Sequence, residues 1–213
     1  TGNGSAVDVR DGTIAVLGDG GTTGMQNVSV EGNTLTDCQG HGITVSRTAS
    51  ATSLDWYNLS VSYNSIYNQT NSGIQLDFTD ATSNGVRNLM VANNNVHNPG
   101  AGSPNAAISI TTPDAEPISN LAIVENNIRI QDASAVYGIH LNVLHTLFAA
   151  RIAGNNYHGN NAATLAAIYV QTTTGEPAVE MNSLQITNNN VYDPGNADCY
   201  LMQLFRAVRN FSF

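Results

Sequence analysis

His140 and Tyr169, with Asp77 upstream, are the residues whose types and spacing point to acid–base chemistry. A histidine titrates near neutrality and can take or give a proton, and a tyrosine hydroxyl can supply the complementary step. One could remove a proton from a substrate carbon and the other protonate a leaving oxygen, the logic of an elimination. A second set, Tyr67, His97, Arg129, His158 and Tyr192, is suited to contact rather than reaction. Rings and a guanidinium plane pack on the apolar C–H faces of a sugar and hydrogen-bond its hydroxyl rim. The same side chains can also stack on one another and stabilise an exposed sheet. Hydrolysis would need two carboxylates, about 5.5 Å apart for retention or about 6.5–9.5 Å apart for inversion. Asp77 or Asp80 opposite Asp114 or Glu116 are the pairs on offer, although Asp is common in polar turns in any case.

What must position these residues is a repeat. The phrase apolar-x-apolar-x-x-Asn-x-apolar begins at Val28, Leu59, Leu89, Leu121, Ala150 and Leu184, with its asparagines at 33, 64, 94, 126, 155 and 189. A period near 30 residues is the mark of a solenoid. Each repeat carries three short strands, in the second Asn58–Ser62, Ser65–Asn68 and Gly73–Phe78. Alternation directs Leu59, Val61, Ile66, Ile74 and Leu76 to one side, which no repeat can bury alone. The third strand recurs from Ile14-x-Val16 through Ile43, Ile74, Ile108, Ile139 and Ile168. The asparagines predict a stacked column at a sharp bend, where Asn tolerates the left-handed conformation. Amides stacked every ~4.8 Å can bond along the column and satisfy a buried polar turn.

The same register sorts outward side chains into columns. Thr36, Tyr67, His97, Arg129, His158 and Tyr192 form one. Thr44, Gln75, Ser109, His140 and Tyr169 form a second, and Ser46, Asp77, Thr111, Asn142 and Gln171 a third. Neither of the last two holds an Arg or Lys to neutralise a uronate carboxylate.

Rungs of this length with three strands and a turn asparagine resemble the right-handed parallel β-helix of the pectate-lyase-like superfamily. The resemblance spans about residues 6–200. It implies an all-β fold, a right-handed parallel β-helix of six to seven rungs forming a single domain over 1–213. Residues 1–24 are expected to be a partial first rung, 25–200 six repeats, and 200–213 a C-terminal cap. Leu201, Leu204, Phe205, Val208 and Phe211 have helical spacing, so that cap is expected to be a short amphipathic helix, with a further strand as the alternative. Ala6–Arg10 is expected to belong to a preceding strand, leaving an N-terminal edge for a flanking domain or an oligomer partner to cover. The superfamily includes polysaccharide lyases, glycoside hydrolases, alginate epimerases, phage tailspikes and non-catalytic surface proteins. It therefore implies an extracellular, cell-surface or virion module that binds, and in its enzymes cleaves or epimerises, a polysaccharide. A non-catalytic stalk, adhesin or scaffold is the alternative. Sites, not folds, decide between these.

Composition narrows the partners. The seven basic residues are all Arg, and net charge is −9. Nucleic acid and anionic membrane surfaces are disfavoured, and no apolar run is long enough to span a bilayer. An uncharged glycan is easier to reconcile with that charge than a polyuronate. No metal-ligand spacing, cofactor motif, phosphate loop or nucleophile elbow occurs. Asn27, Asn58, Asn68 and Asn210 each begin an Asn-x-Ser/Thr triplet, a match expected by chance in so Asn-rich a chain. Cys38 and Cys199 lie in the first and sixth repeats, about 24 Å apart at strand spacing. A disulfide needs Cα atoms within about 7 Å, so two thiols are expected.

Overall fold

A computed structural model describes residues 5–10, 13–18, 25–47, 56–79, 85–100, 106–112, 117–130, 137–159, 166–172, 181–192 and 200–205. Among them the chain is an all-β parallel solenoid with three sheets. Sheet B carries the first strand of each rung, sheet C the second and sheet A the third. In the second rung these are Trp56–Ser62, Ser65–Tyr67 and Ile74–Asp77. About four regular turns are built from three unbroken strands each, fewer than the six to seven expected from the repeat. In the two stretches that follow, the first strand is split, into Leu147–Phe148 and Arg151–Ala153, then into Met181–Asn182 and Gln185–Thr187.

The register is the one the repeat implies. Ile43, Ile74, Ile108, Ile139 and Ile168 pair in sequence across sheet A, and Leu35, Ile66, Val96, Ile128, Tyr157 and Val191 across sheet C. These columns fill one continuous core, with Ile66, Ile74, Leu76, Ile108 and Ile128 almost wholly buried. Small residues precede the sheet A isoleucines because the core is tight there. A Cβ on Gly73 would stand 2.3 Å from Val96 Cγ1, and one on Gly138 2.6 Å from the Tyr157 ring.

The interior asparagine ladder is complete. Asn33 donates to Asn64 Oδ1 at 2.9 Å, and the chain of side-chain bonds continues through Asn94, Asn126 and Asn155 to Asn189 at 2.9–3.0 Å. Each Oδ1 from Asn64 to Asn189 also accepts the backbone N–H of the preceding ladder asparagine. The second amide hydrogen goes to a carbonyl of the preceding rung, such as Asn94 to Val61. A primary amide has two donors and two lone pairs, and at Asn64, Asn94, Asn126 and Asn155 all are used.

One expectation about this ladder is corrected. The left-handed residue is not the ladder asparagine but the one before it: Gly32, Tyr63, Asn93, Glu125, Gly154 and Asn188, with φ between +55° and +71°. The ladder amide is wanted for its hydrogen bonds, and the bend is carried by a neighbour of almost any type.

Both ends differ from expectation. Ser5–Arg10 pairs antiparallel with Thr13–Gly18, from Ser5 opposite Gly18 to Arg10 opposite Thr13. It is the outer arm of a hairpin, not a strand of a preceding parallel rung. A sheet edge gains the arm's backbone hydrogen bonds. At the other end Tyr200–Phe205 is a strand, the stated alternative, and not the first part of the preferred helix. Met202 and Leu204 take the register positions of Ile168 and Val170, so period two at 200–204 competes with the helical spacing and sheet pairing decides. The remainder of the expected helix lies outside the described residues. Cys38 is buried, and burial together with the nearby Asp37 charge pushes its thiol pKa up. Cys199 lies outside the described residues.

Candidate functional site

Sheet A places His140 and Tyr169 side by side. Register pairs run Gln75–Ser109–His140–Tyr169 in one outward column and Asp77–Thr111–Asn142–Gln171 in the next. The rings of His140 and Tyr169 stack with centroids 5.3 Å apart. A third ring joins them: Tyr137 lies 4.4 Å from Tyr169, nearly parallel, and 5.5 Å from His140. Tyr137 escapes sequence reading because residues three apart on a regular strand face opposite sides. Here the ladder steps from Tyr137 to Ile139 and leaves Gly138 unpaired on both neighbours. That interruption turns Tyr137 toward the His140 face. A Tyr-Gly pair just before the inward isoleucine was the available signal.

The polar atoms around these rings are buried and largely unused. Ser109 is 1% exposed, and its Oγ has no hydrogen-bond partner. The Oδ1 of Asn142 is likewise buried without one, and the buried ring nitrogens of His140 have no well-formed hydrogen bond, the Gln171 side chain being the one polar group that interacts with them. Burial lowers the His140 pKa, and the Gln171 side chain nearby offsets this only in part. His140 is therefore neutral at physiological pH, with one lone pair and one N–H to offer. Burial, reinforced by Tyr169, raises the Tyr137 pKa, so its phenol keeps its proton. Buried polar groups left unmet by protein, water or ligand cost about 1–3 kcal/mol each.

Asp77 does not join this group. It sits in the second rung and His140 in the fourth, two strand spacings or about 10 Å along the axis. Its Oδ1 accepts from the backbone N–H of Thr79 at 3.1 Å and from the Thr79 hydroxyl. The histidine that feels its charge is His41, whose pKa burial lowers and Asp77 partly restores. By these contacts Asp77, the last residue of its strand, holds the turn that follows. Asp80, Asp114 and Glu116, the other carboxylates of the hydrolytic pairs, lie outside the described residues.

Sheet C carries the second expected set in the expected register: Thr36, Tyr67, His97, Arg129, His158 and Tyr192 pair in sequence. Their rings lean on one another. Tyr67 and His97 are 5.8 Å apart at 52°, and His158 and Tyr192 4.9 Å apart at 32°. The Tyr67 hydroxyl accepts from Asn95 Nδ2 at 3.0 Å. Tyr192 is 56% exposed. The column and the sheet A group stand on different sheets.

Sheet B holds a feature sequence reading did not find. Asn27, Asn58, Asn88 and Asn120 all have positive φ and form an exposed amide ladder, with Asn58 donating to Asn27, Asn88 to Asn58 and Asn120 to Asn88 at 2.8–3.0 Å. The signal was an asparagine one position before each of the first four repeat phrases. It also accounts for two of the Asn-x-Ser triplets, since Ser29 and Ser60 belong to a register column two positions on. Among the described residues no group of His, Cys, Asp and Glu is arranged to hold a metal ion.

No known family model matches this chain, and neither a characterised protein nor a solved structure matches it.

Proposed function

We propose that this chain is a carbohydrate-binding module of the pectate-lyase-like, right-handed β-helix kind, exposed on a cell surface or virion. In this reading it holds an uncharged glycan against the outer face of sheet A. The observation that carries it is the cluster of buried polar atoms without well-formed hydrogen bonds on Ser109, His140 and Asn142 beside the Tyr137–His140–Tyr169 stack. Sugar hydroxyls donate and accept, so one residue could bond a histidine lone pair, an amide oxygen and a serine hydroxyl together. Aromatic rims favour the C–H faces of the same sugar. The two outward columns hold no cation, and net charge is −9, which favours a neutral glycan over a polyuronate.

Binding without turnover is the form of this reading that the residues favour. Acid–base cleavage needs a charged or metal partner for the carboxylate, or a second acid near the first. Asp77 is two rungs away and bonded to Thr79. A glycan array followed by reducing-sugar and uronate-unsaturation assays on the hits tests the reading. It predicts binding of a neutral glycan at sheet A, read from the Tyr137 ring resonances, that weakens at least tenfold in His140→Ala and Tyr169→Ala, with no new reducing ends. Binding that survives both substitutions would remove sheet A from the proposal, and turnover lost in His140→Ala would make the chain an enzyme.

A structural scaffold is the second reading, favoured by the sheet C column. Its rings satisfy one another by stacking, as a sheet-stabilising ladder would. Absence of binding to any glycan would leave this one standing.

A further inference from the structure

We infer that the exposed amide ladder of sheet B is a second glycan track, which takes an uncharged polysaccharide chain lying parallel to the solenoid axis. The ladder borders a groove of about 360 Å³ lined by Asn58, Leu59, Ser60, Asn88, Met90 and Asn120, among others. The groove crosses three successive rungs, because Asn58, Asn88 and Asn120 occupy one bend position and Ser60, Met90 and Ala122 pair across sheet B beside it.

Three properties define the occupant. The first is hydrogen bonding. Each interior member of the ladder uses one N–H and one lone pair on its neighbours, as Asn58 does with Asn27 and Asn88. One N–H and one lone pair remain at each. The ladder bonds fix the orientation of those groups before any ligand arrives, which lowers the entropy cost of using them. A ligand that both donates and accepts at each step is required, and a hydroxyl does both.

The second property is spacing. The amides repeat at the strand separation of about 4.8 Å. A pyranose linked through opposite ends of its ring advances by roughly one such step per residue. An extended peptide advances about 3.3 Å per residue, or about 6.6 Å per side-chain repeat, and falls out of step within two rungs. The third property is charge. The lining holds amides, a hydroxyl and apolar groups, with Met90 40% exposed at the floor and no ionised side chain. A charged polymer would gain nothing there, whereas the C–H face of a sugar meets the Met90 and Ala122 side chains.

This track rests on the sheet A reading only for the class of ligand, and it stands on a different sheet. The test uses the full chain, labelled with ¹⁵N, and follows the side-chain amide resonances of Asn58, Asn88 and Asn120. Cellohexaose, mannohexaose and xylohexaose are added in turn, and a polar Gly/Ser hexapeptide serves as the comparison. At least one hexasaccharide is expected to shift all three amides. Ala122→Arg fills the floor, and Asn88→Gly deletes one amide while keeping the positive φ; each is expected to weaken that binding at least tenfold. His140→Ala is expected to leave these shifts in place. The inference is overturned if no hexasaccharide moves the three amides, if the peptide alone moves them, or if Ala122→Arg binds as the parent does. Binding lost in His140→Ala but kept in both sheet B variants overturns this track and leaves the sheet A reading intact.

Discussion

The interior asparagine ladder and the Ser109–His140–Asn142 group are both buried polar clusters, carried on the same rungs, and they are handled in opposite ways. At Asn94 every donor and lone pair has a partner, from Asn64, Val61 and Asn126. At His140 neither nitrogen has a well-formed bond, and only the Gln171 side chain interacts with the ring. Polar groups buried with partners hold a fold together, whereas buried groups without them weaken it. The difference separates what the solenoid needs in order to stand from what it carries at some cost, and it is why the sheet A group is read as a ligand site.

Substitution should therefore move stability in opposite directions in the two places. Asn94→Leu orphans the Asn64 backbone N–H, one Asn64 amide hydrogen, the Val61 carbonyl and one lone pair of Asn126. At about 1 kcal/mol for each, the expected loss is about 4 kcal/mol, read by urea unfolding. An unchanged midpoint would break the ladder argument. Ser109→Ala removes a buried hydroxyl that bonds to nothing, so a gain of about 1–2 kcal/mol is expected, with weaker glycan binding. A loss of stability there would erase the contrast.

A smaller effect sharpens the comparison from the exposed side. The outer ladder stops after Asn120, and the next two bend positions are Ala149 at φ +53° and Ser183 at φ +61°. A left-handed alanine costs about 1–2 kcal/mol, and solvent rather than a neighbour serves an exposed amide that is missing. Ala149→Asn suits the bend and extends the ladder, and is expected to raise stability by about 1 kcal/mol in the same assay. Equal midpoints would show that the strain is relieved elsewhere.

The smallest expected effect is on pH dependence. Burial holds the folded His140 pKa below its ordinary value of 6.5, and His41 shifts the same way. Below 6.5 the unfolded chain binds the proton first, so this part of the stability is full above that pH and is lost as pH falls through it toward the folded pKa. His140→Phe should flatten the stability–pH curve below pH 6.5 relative to the parent. Parallel curves would mean that the imidazole is not held neutral.

The core columns were legible in the sequence almost residue by residue. Strand alternation has a period of two and the asparagine fixes the phase, so Ile74, Ile108 and Ile139, or Tyr67, His97 and Arg129, could be aligned without coordinates. The left-handed bend was misplaced by one residue, because Tyr63 and Glu125 adopt positive φ without any residue-type signature. Tyr137 was missed because the interruption at Gly138 breaks the period on which the reading depended. The outer ladder was missed for a related reason: Asn27, Asn58, Asn88 and Asn120 lie just outside the repeated phrase that drew attention.

The sequence by itself determined the solenoid, its three strands per rung, the pairing of equivalent positions and the column to which each candidate residue belongs. These follow from local periodicity repeated at a near-constant interval, and such information survives in a one-dimensional string. Tertiary structure alone decided that Tyr200–Phe205 is a strand and Ser5–Arg10 an antiparallel arm, since both depend on which edge stands nearby. It also decided which polar groups on those columns are satisfied. Asn94 and Asn142 are the same residue type on neighbouring rungs, and only burial and neighbours make one a girder and leave the other with an unmet oxygen.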